Sequence, residues 1–167
     1  MTKTILNTLS ITIPLATGQT DSANSARQLS LEAWQALTDF ESWCSWMPNV
    51  EHVQRLDEGD PARGSCLRVT AKNSDRIWTI NYWEPEKRIE FIIGPTPARS
   101  AYRFSFEIRG SGSGELELEL ILDLESACRR LLLFATPAFG WQQQRKGKRL
   151  LRSFKAHLLT RGHNAQP

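Results

Sequence analysis

The chain has 167 residues, a formal net charge of +3 at pH 7 and a hydrophobic fraction of 40%. This length suits one domain with one core, so we expect a single domain over residues 1–167. The small net charge gives no reason to expect a nucleic-acid partner, and no apolar run approaches the roughly 20 residues of a membrane-spanning helix.

Residues 5–13 alternate loosely, with Leu9, Ile11 and Ile13 on one side. Such an alternation predicts a strand with one buried face. Residues 14–28 are polar and rich in Ser and Thr, which predicts an insertion loop before the first helix. A helix start as early as Asp21 or Ser22 stays open.

The segment Ser30–Pro48, SLEAWQALTDFESWCSWMP, holds three of the six tryptophans of the chain. Its apolar residues follow helical spacing, and Ser30 suits the N-cap of a first helix because its hydroxyl can accept a free N–H of the first turn. Thr38 and Asp39 interrupt the pattern and predict a second short helix that carries Trp46 and Met47. These large side chains need a concave surface to pack against.

Residues 49–124 supply that surface as a run of short strands joined by tight turns. Sequential strands of this kind form an antiparallel meander with one packed and one solvated face. We predict six strands, at residues 49–56, 65–72, 76–83, 88–93, 101–109 and 115–124. The aromatic residues expected on the packed face, nearest the strand centres, are Trp78, Tyr82, Phe91, Tyr102 and Phe104.

The C-terminal part combines a short apolar run at 131–134, ending near Pro137, with an amphipathic helix over 140–160. The apolar stripe of this helix includes Leu151 and Phe154, and Gly147 on the same stripe leaves room rather than filling it. The opposite stripe is basic and includes Arg145, Lys148, Arg149 and Arg152. Residues 162–167 are expected to form a disordered tail.

Several sequence words carry a resemblance to a known family. They are A-W-x-x-L-T-D-F-x-x-W-x-x-W-x-P at Ala33–Pro48, W-E-P at Trp83–Pro85 followed by Arg88-Ile89, and a Gly-rich turn before an acidic-leucine strand. Together with the order of the elements, they resemble the START-like superfamily, also called SRPBCC or helix-grip, and in particular its bacterial polyketide cyclase/dehydrase and lipid-transport-like branch. The resemblance implies an α+β, Bet v 1-like fold. In it a curved seven-strand antiparallel sheet wraps around a long C-terminal helix, with two short helices between strands 1 and 2.

The resemblance also implies a cavity between the C-terminal helix and the sheet. No cofactor is expected, because the sequence lacks a Rieske element and a phosphate-binding loop. It predicts the binding or transport of a hydrophobic or amphipathic small molecule, such as a lipid, a quinone or a polyketide-like compound. The residues expected to line the cavity are Trp46, Met47, Trp78, Tyr82, Phe91, Tyr102, Phe104, Leu151 and Phe154.

Residues for catalysis are scarce. Cys44, Cys66 and Cys128 lack metal-ligand spacing, so we expect no metal site, reduced thiols and a cytoplasmic protein. A polyketide cyclase, aromatase or dehydratase is the alternative function, and it would rely on Tyr82, Tyr102 or His52 for proton transfer.

The basic stripe of the last helix allows two interpretations. It is either a solvated outer face or a surface for peripheral contact with an anionic membrane. A nucleic-acid partner is not expected, because stacking platforms do not alternate with the basic residues. The sequence leaves both a monomer and a homodimer open.

Overall fold

The computed structural model describes residues 5–13, 22–93, 101–110, 116–125 and 129–164. Seven strands form one sheet in the order β1-β7-β6-β5-β4-β3-β2, and every neighbouring pair is antiparallel. The predicted seven-strand antiparallel sheet is therefore confirmed. The strands are β1 (Ile5–Ile13), β2 (Val50–Arg55), β3 (Cys66–Ala71), β4 (Ser74–Glu84), β5 (Arg88–Ile93), β6 (Ala101–Gly110) and β7 (Leu116–Glu125).

The helices are α1 (Ser22–Thr38), α2 (Trp43–Trp46) and α3 (Arg129–Asn164), and a 3₁₀ turn over Phe40–Ser42 precedes α2. Among the described residues, no helix is long and apolar enough to cross a membrane.

The core lies between the concave face of the sheet and the helices. Along β6, Phe104, Phe106 and Ile108 are buried, and Glu107 and Arg109 alternate with them on the outer side. Burying one such apolar side chain contributes about 1.5–3 kcal/mol. The alternation seen in the sequence therefore fixes which face of the sheet the helices cover.

Aromatic rings fill the centre of this core. Trp43 of α2 is fully buried, lies 5.4 Å from the Phe91 ring and donates a hydrogen bond from Nε1 to the Leu37 carbonyl at 3.0 Å. Trp46 lies 4.7 Å from Phe154 of α3, which is also fully buried. Edge-to-face contacts of this kind stabilise a core beyond its buried area, so α2 joins the sheet to α3.

The first helix starts earlier than the Ser30 cap predicts. Helix α1 begins at Ser22, so residues 22–28 are helical rather than part of the predicted loop 14–28; residues 14–21 lie outside the described chain. The Ser30 hydroxyl donates to the Ala26 carbonyl at 3.0 Å, four residues back. A serine that can cap a helix can make this bond within one instead.

The last helix is also longer than predicted. It runs without a break for 36 residues from Arg129, and Pro137 lies inside it. A proline removes one backbone hydrogen bond, but a long helix keeps its remaining ones and can continue. The predicted tail 162–167 is wrong for residues 162–164, which are helical; residues 165–167 lie outside the described chain.

A β-bulge overturns the predicted orientation of Tyr82. Ile80 pairs with Phe91, but Tyr82 pairs with Glu90, so the register shifts by one residue between them. A bulge of this kind reverses the faces of the residues that follow it. Tyr82 is consequently 43% exposed, and Trp83, which the sequence placed on the other face, packs against the core.

Candidate ligand cavity

A cavity of about 440 Å³ opens between α3, the turn after α2 and the neighbouring strands β2 to β5. This volume lies within the range of typical small-molecule sites. Its apolar lining consists mainly of Met47, Val50, Val69, Trp78, Ile93 and Leu150.

The register of the sheet builds the floor of the cavity. Trp78 pairs with Ile93 on β5, and Val69 pairs with Arg76 across β3 and β4. Directly paired residues of antiparallel strands project to the same face, so all four project to the concave side. Near the β3–β4 turn the paired positions hold the small residues Ala71 and Ser74, which leave space at this end.

Helix α3 supplies the opposite wall. Gly147 is buried and lines the cavity together with Leu150 one turn further on. Because glycine has no side chain, the wall is recessed where larger residues would approach the sheet. Met47 closes the inner end, and its backbone N–H donates to the Trp43 carbonyl at 2.7 Å, which fixes the turn after α2.

Trp78 separates the cavity from the aromatic core. Its ring is half-buried and lies 4.9 Å from Phe104 and 5.7 Å from Trp43. The ring therefore lines the cavity on one side and packs against the core on the other.

Two of the predicted lining residues, Met47 and Trp78, line this cavity. Five others are buried in the packed core and are not part of its lining: Trp46, Phe91, Phe104, Leu151 and Phe154. Their rings and side chains occupy the volume at the centre of the grip, so the open space lies toward its mouth. A role for these five residues in ligand binding stays a prediction.

Of the candidate catalytic residues, Tyr82 and His52 do not line the cavity. Tyr82 lies on the outer face, where its hydroxyl donates to Glu84 Oε2 at 3.0 Å and the Arg88 guanidinium lies 5.3 Å from its ring centre. The hydrogen bond to Glu84 and the charge of that carboxylate raise the pKa of Tyr82. His52 is exposed on β2. The side chain of Tyr102 lies outside the described part of the structure.

The rim of the cavity is cationic. Arg76 of β4 and Lys146 and Arg149 of α3 are exposed, and they are the ionisable residues of the lining. Among the described residues, none of the three forms an ion pair or a side-chain hydrogen bond. Sequence reasoning missed Arg76, although it shares its strand parity with Trp78 and was therefore assignable to the inward face.

A shallow groove of about 500 Å³ lies on the outer side of α3. Trp141 is 55% exposed there, and the Arg145 guanidinium lies 3.6 Å from the centre of its ring. Lys148, Arg149 and Arg152 also line the groove, and Arg149 belongs to both the groove and the cavity rim. We call Trp141, Arg145, Lys148, Arg149 and Arg152 the basic face.

A polar contact between α2 and α3 lies behind the cavity. The rings of Trp46 and His157 are 6.3 Å apart, and Trp46 Nε1 and His157 Nε2 are buried and have no hydrogen-bond partner within the described part of the structure. Burial lowers the pKa of His157, and the nearby charge of Arg161 acts in the same direction, against the opposing effect of Asp39. His157 is therefore favoured in its neutral form.

A seven-stranded antiparallel sheet that packs against a long C-terminal helix, with an apolar cavity between them, defines a helix-grip domain. Residues 31–158 match the family described as polyketide cyclase/dehydrase and lipid transport, and the chain belongs to this family. The resemblance seen in the sequence is thereby confirmed. The comparison with curated protein sequences found no match.

Solved structures share the fold at low sequence identity. A START superfamily protein from Mycobacterium smegmatis is 14% identical with a TM-score of 0.64, and the match covers 92% of this chain and 97% of that one. An aromatase/cyclase from Streptomyces sp. R1128 is 15% identical with a TM-score of 0.59, covering 93% and 94%. A hypothetical protein from Helicobacter pylori is 7% identical with a TM-score of 0.67, covering 90% and 85%. These similarities confirm the predicted α+β helix-grip fold.

Proposed function

We propose that the protein binds and carries a hydrophobic or amphipathic small molecule in the cavity between α3 and the sheet. The family description names polyketides and lipids, and quinones are a further class of ligand with a comparable apolar body. The observation that carries the proposal is the apolar cavity of about 440 Å³, which is recessed at Gly147. A preformed apolar cavity with a few polar groups at its mouth is typical of sites for such ligands.

The described lining favours binding over chemistry. Among the described residues, the cavity is lined by no Tyr, His, Cys or carboxylate, and general acid–base catalysis needs a titratable group within reach of the substrate. Cyclisation or dehydration of a bound polyketone is the alternative. Of its three candidate residues, Tyr82 and His52 lie outside this cavity, which leaves Tyr102. A Tyr102→Phe protein with unchanged turnover of a responsive polyketone would exclude Tyr102 as the catalytic residue, and a wild-type protein that turns over no polyketone would contradict the alternative function.

Filling the cavity tests the binding proposal. We expect an apolar ligand to co-purify with the wild-type protein. Gly147→Leu should lose this ligand, because the new side chain occupies the recess in the wall. The helix itself should gain stability, since glycine costs about 1 kcal/mol relative to alanine within a helix. Native mass spectrometry of freshly purified protein, followed by organic extraction, measures the bound ligand.

The matched control is Gln142→Leu, which adds the same side chain at an exposed position of α3 outside the cavity. Equal ligand occupancy in Gly147→Leu, Gln142→Leu and wild type would exclude this cavity as the site. A wild-type protein that carries and takes up no apolar compound would contradict the binding proposal as a whole.

We also propose that the basic face meets an anionic membrane surface. The supporting observation is the exposed Trp141 ring, with the Arg145 guanidinium stacked on it, beside further cations on the same side of α3. Exposed aromatic rings bordered by cations are typical of interfacial membrane contacts. Binding to anionic vesicles, weakening with salt, is the corresponding test.

We propose a cytoplasmic location for the protein, and the free thiols of Cys44 and Cys66 support it.

A further inference from the structure

The cavity combines an apolar floor with a rim of one charge sign. Its described ionisable lining residues are Arg76, Lys146 and Arg149, and all three are cations. The remaining polar side chains of the lining, Asn49 and Ser74, are neutral. A purely apolar ligand would form no polar interaction with these three cations.

The three cations reach the rim from opposite walls. Arg76 lies on the concave face because it pairs with the buried Val69, and it stands two residues before Trp78. On α3, Lys146 directly precedes Gly147 and Arg149 directly precedes Leu150. A ligand whose body lies on Val69, Trp78 and Leu150 therefore ends between positive charges from the sheet and from the helix.

No anionic side chain neutralises this rim in the described part of the structure. Arg88 and Arg103, the arginines next along the sheet, each form an ion pair with Glu90 on the outer face. Arg76, Lys146 and Arg149 have no such carboxylate partner among the described residues, so their donors are available to a ligand.

We propose that the ligand is an amphipathic acid, with its apolar body in the cavity and one anionic head group, a carboxylate or a phosphate, held by Arg76, Lys146 and Arg149. This inference rests on the proposed binding function and specifies the class of ligand. Charge-assisted hydrogen bonds to guanidinium and ammonium groups supply the selectivity for the head group. The apolar floor supplies affinity without regard to charge.

Four probes with the same decyl chain test the assignment: undecanoate, decyl phosphate, decanol and decyltrimethylammonium. Calorimetric titration of wild-type protein should give affinities for the two anions that exceed that for decanol by about tenfold, a modest factor because the rim is exposed. The cation should bind more weakly than decanol. A preference for one of the two anions supports the proposal and identifies the head group.

The rim variant Arg76→Gln, Lys146→Gln, Arg149→Gln should bind the anions and decanol equally. Its matched control is Arg27→Gln, Arg63→Gln, Arg68→Gln, which removes the same charge at exposed positions outside the cavity lining and should keep the preference. Equal affinities of wild-type protein for decanol and the anions would overturn this inference and leave the binding function standing. A preference for anions that persists in the rim variant would also overturn it. Absence of binding by all four probes would contradict the proposed function itself.

Discussion

Asp57 ties the end of β2 to the start of β3. Its Oδ1 accepts the Cys66 backbone N–H at 2.8 Å, and Arg55 Nη2 lies 3.5 Å from Oδ2. A hydrogen bond from the Ser65 hydroxyl is the largest cause of the lowered pKa of Asp57; the Cys66 backbone N–H and Arg55 act in the same direction, and burial opposes them. One carboxylate thus organises the loop between two strands that lead to the cavity.

We expect Asp57→Ala to lower the free energy of unfolding by about 1–2 kcal/mol near neutral pH, because Cys66 and Ser65 lose their acceptor. A carboxyl whose pKa is lowered by folding stabilises the protein above its ordinary pKa of 3.8 and loses this effect as the pH falls through the folded value. The difference between wild type and variant should therefore narrow below about pH 4. Urea unfolding at several pH values measures it.

Glu58→Ala is the control, since Glu58 is the exposed neighbour of Asp57 and should change stability by no more than about 0.5 kcal/mol. A difference between Asp57→Ala and wild type that is constant down to strongly acidic pH would show that the charge of Asp57 contributes nothing.

At the scale of single residues, the alternation of side chains along β4 predicted their orientation correctly up to the β-bulge. Parity placed Trp78 on the inward face correctly, and it would have placed Arg76 there too. The bulge after Ile80 could not be predicted, because one extra residue in a strand leaves no mark in an alternation of mixed residues. Tyr82 was misassigned for this reason.

At the scale of elements, the contact between α2 and α3 contains the titratable side chain of His157, so we expect its contribution to stability to depend on pH. Folding lowers the pKa of His157, chiefly through burial next to Trp46. A histidine with a lowered pKa binds fewer protons in the native state than in the unfolded state. Its contribution to stability is complete above the unfolded value of about 6.5 and is lost as the pH falls through the folded value.

We expect His157→Phe to be at least as stable as wild type near neutral pH, because it removes a buried nitrogen that no described residue hydrogen-bonds and keeps a ring against Trp46. At about pH 5 the variant should be the more stable of the two, because protonation of His157 favours the unfolded state of wild type there. His52→Phe, at an exposed strand position, should follow the wild-type curve. Parallel curves for His157→Phe and wild type would exclude His157 as the proton-sensitive group.

Helix boundaries were the least predictable part of the elements. Ser30 and Pro137 both carry the local chemistry of a helix end, yet both lie inside helices. A cap signal reports what a side chain can do, and the same hydroxyl can bond backward to Ala26 within a helix. Strand boundaries were predicted to within two residues, because tight turns between alternating segments leave little freedom.

At the scale of the whole molecule, the fold followed from the order of the elements, and the position of the cavity did not. Alternation and amphipathicity identify which side chains face inward. They do not tell how far those side chains fill the interior. Here Phe91 and Phe154 pack with the α2 tryptophans and Phe104 stacks on Phe91, so the open volume lies toward the mouth beside Gly147.

The cavity rim and the basic face meet at Arg149, so a protein that docks by its basic face would present the cavity mouth close to the membrane. We expect wild-type protein to co-sediment with vesicles containing anionic lipid and to be released between about 50 and 500 mM salt, as screening shortens the reach of surface charges. Each basic side chain near such a surface contributes about 1 kcal/mol. Arg145→Gln with Arg152→Gln should therefore weaken binding roughly 30-fold, and Trp141→Ala should weaken it further through the lost ring.

The control Arg68→Gln with Lys72→Gln removes the same net charge from exposed positions outside the basic face. If both pairs weaken binding equally, net charge alone explains the attraction; if only the first pair does, the basic face of α3 is the docking surface.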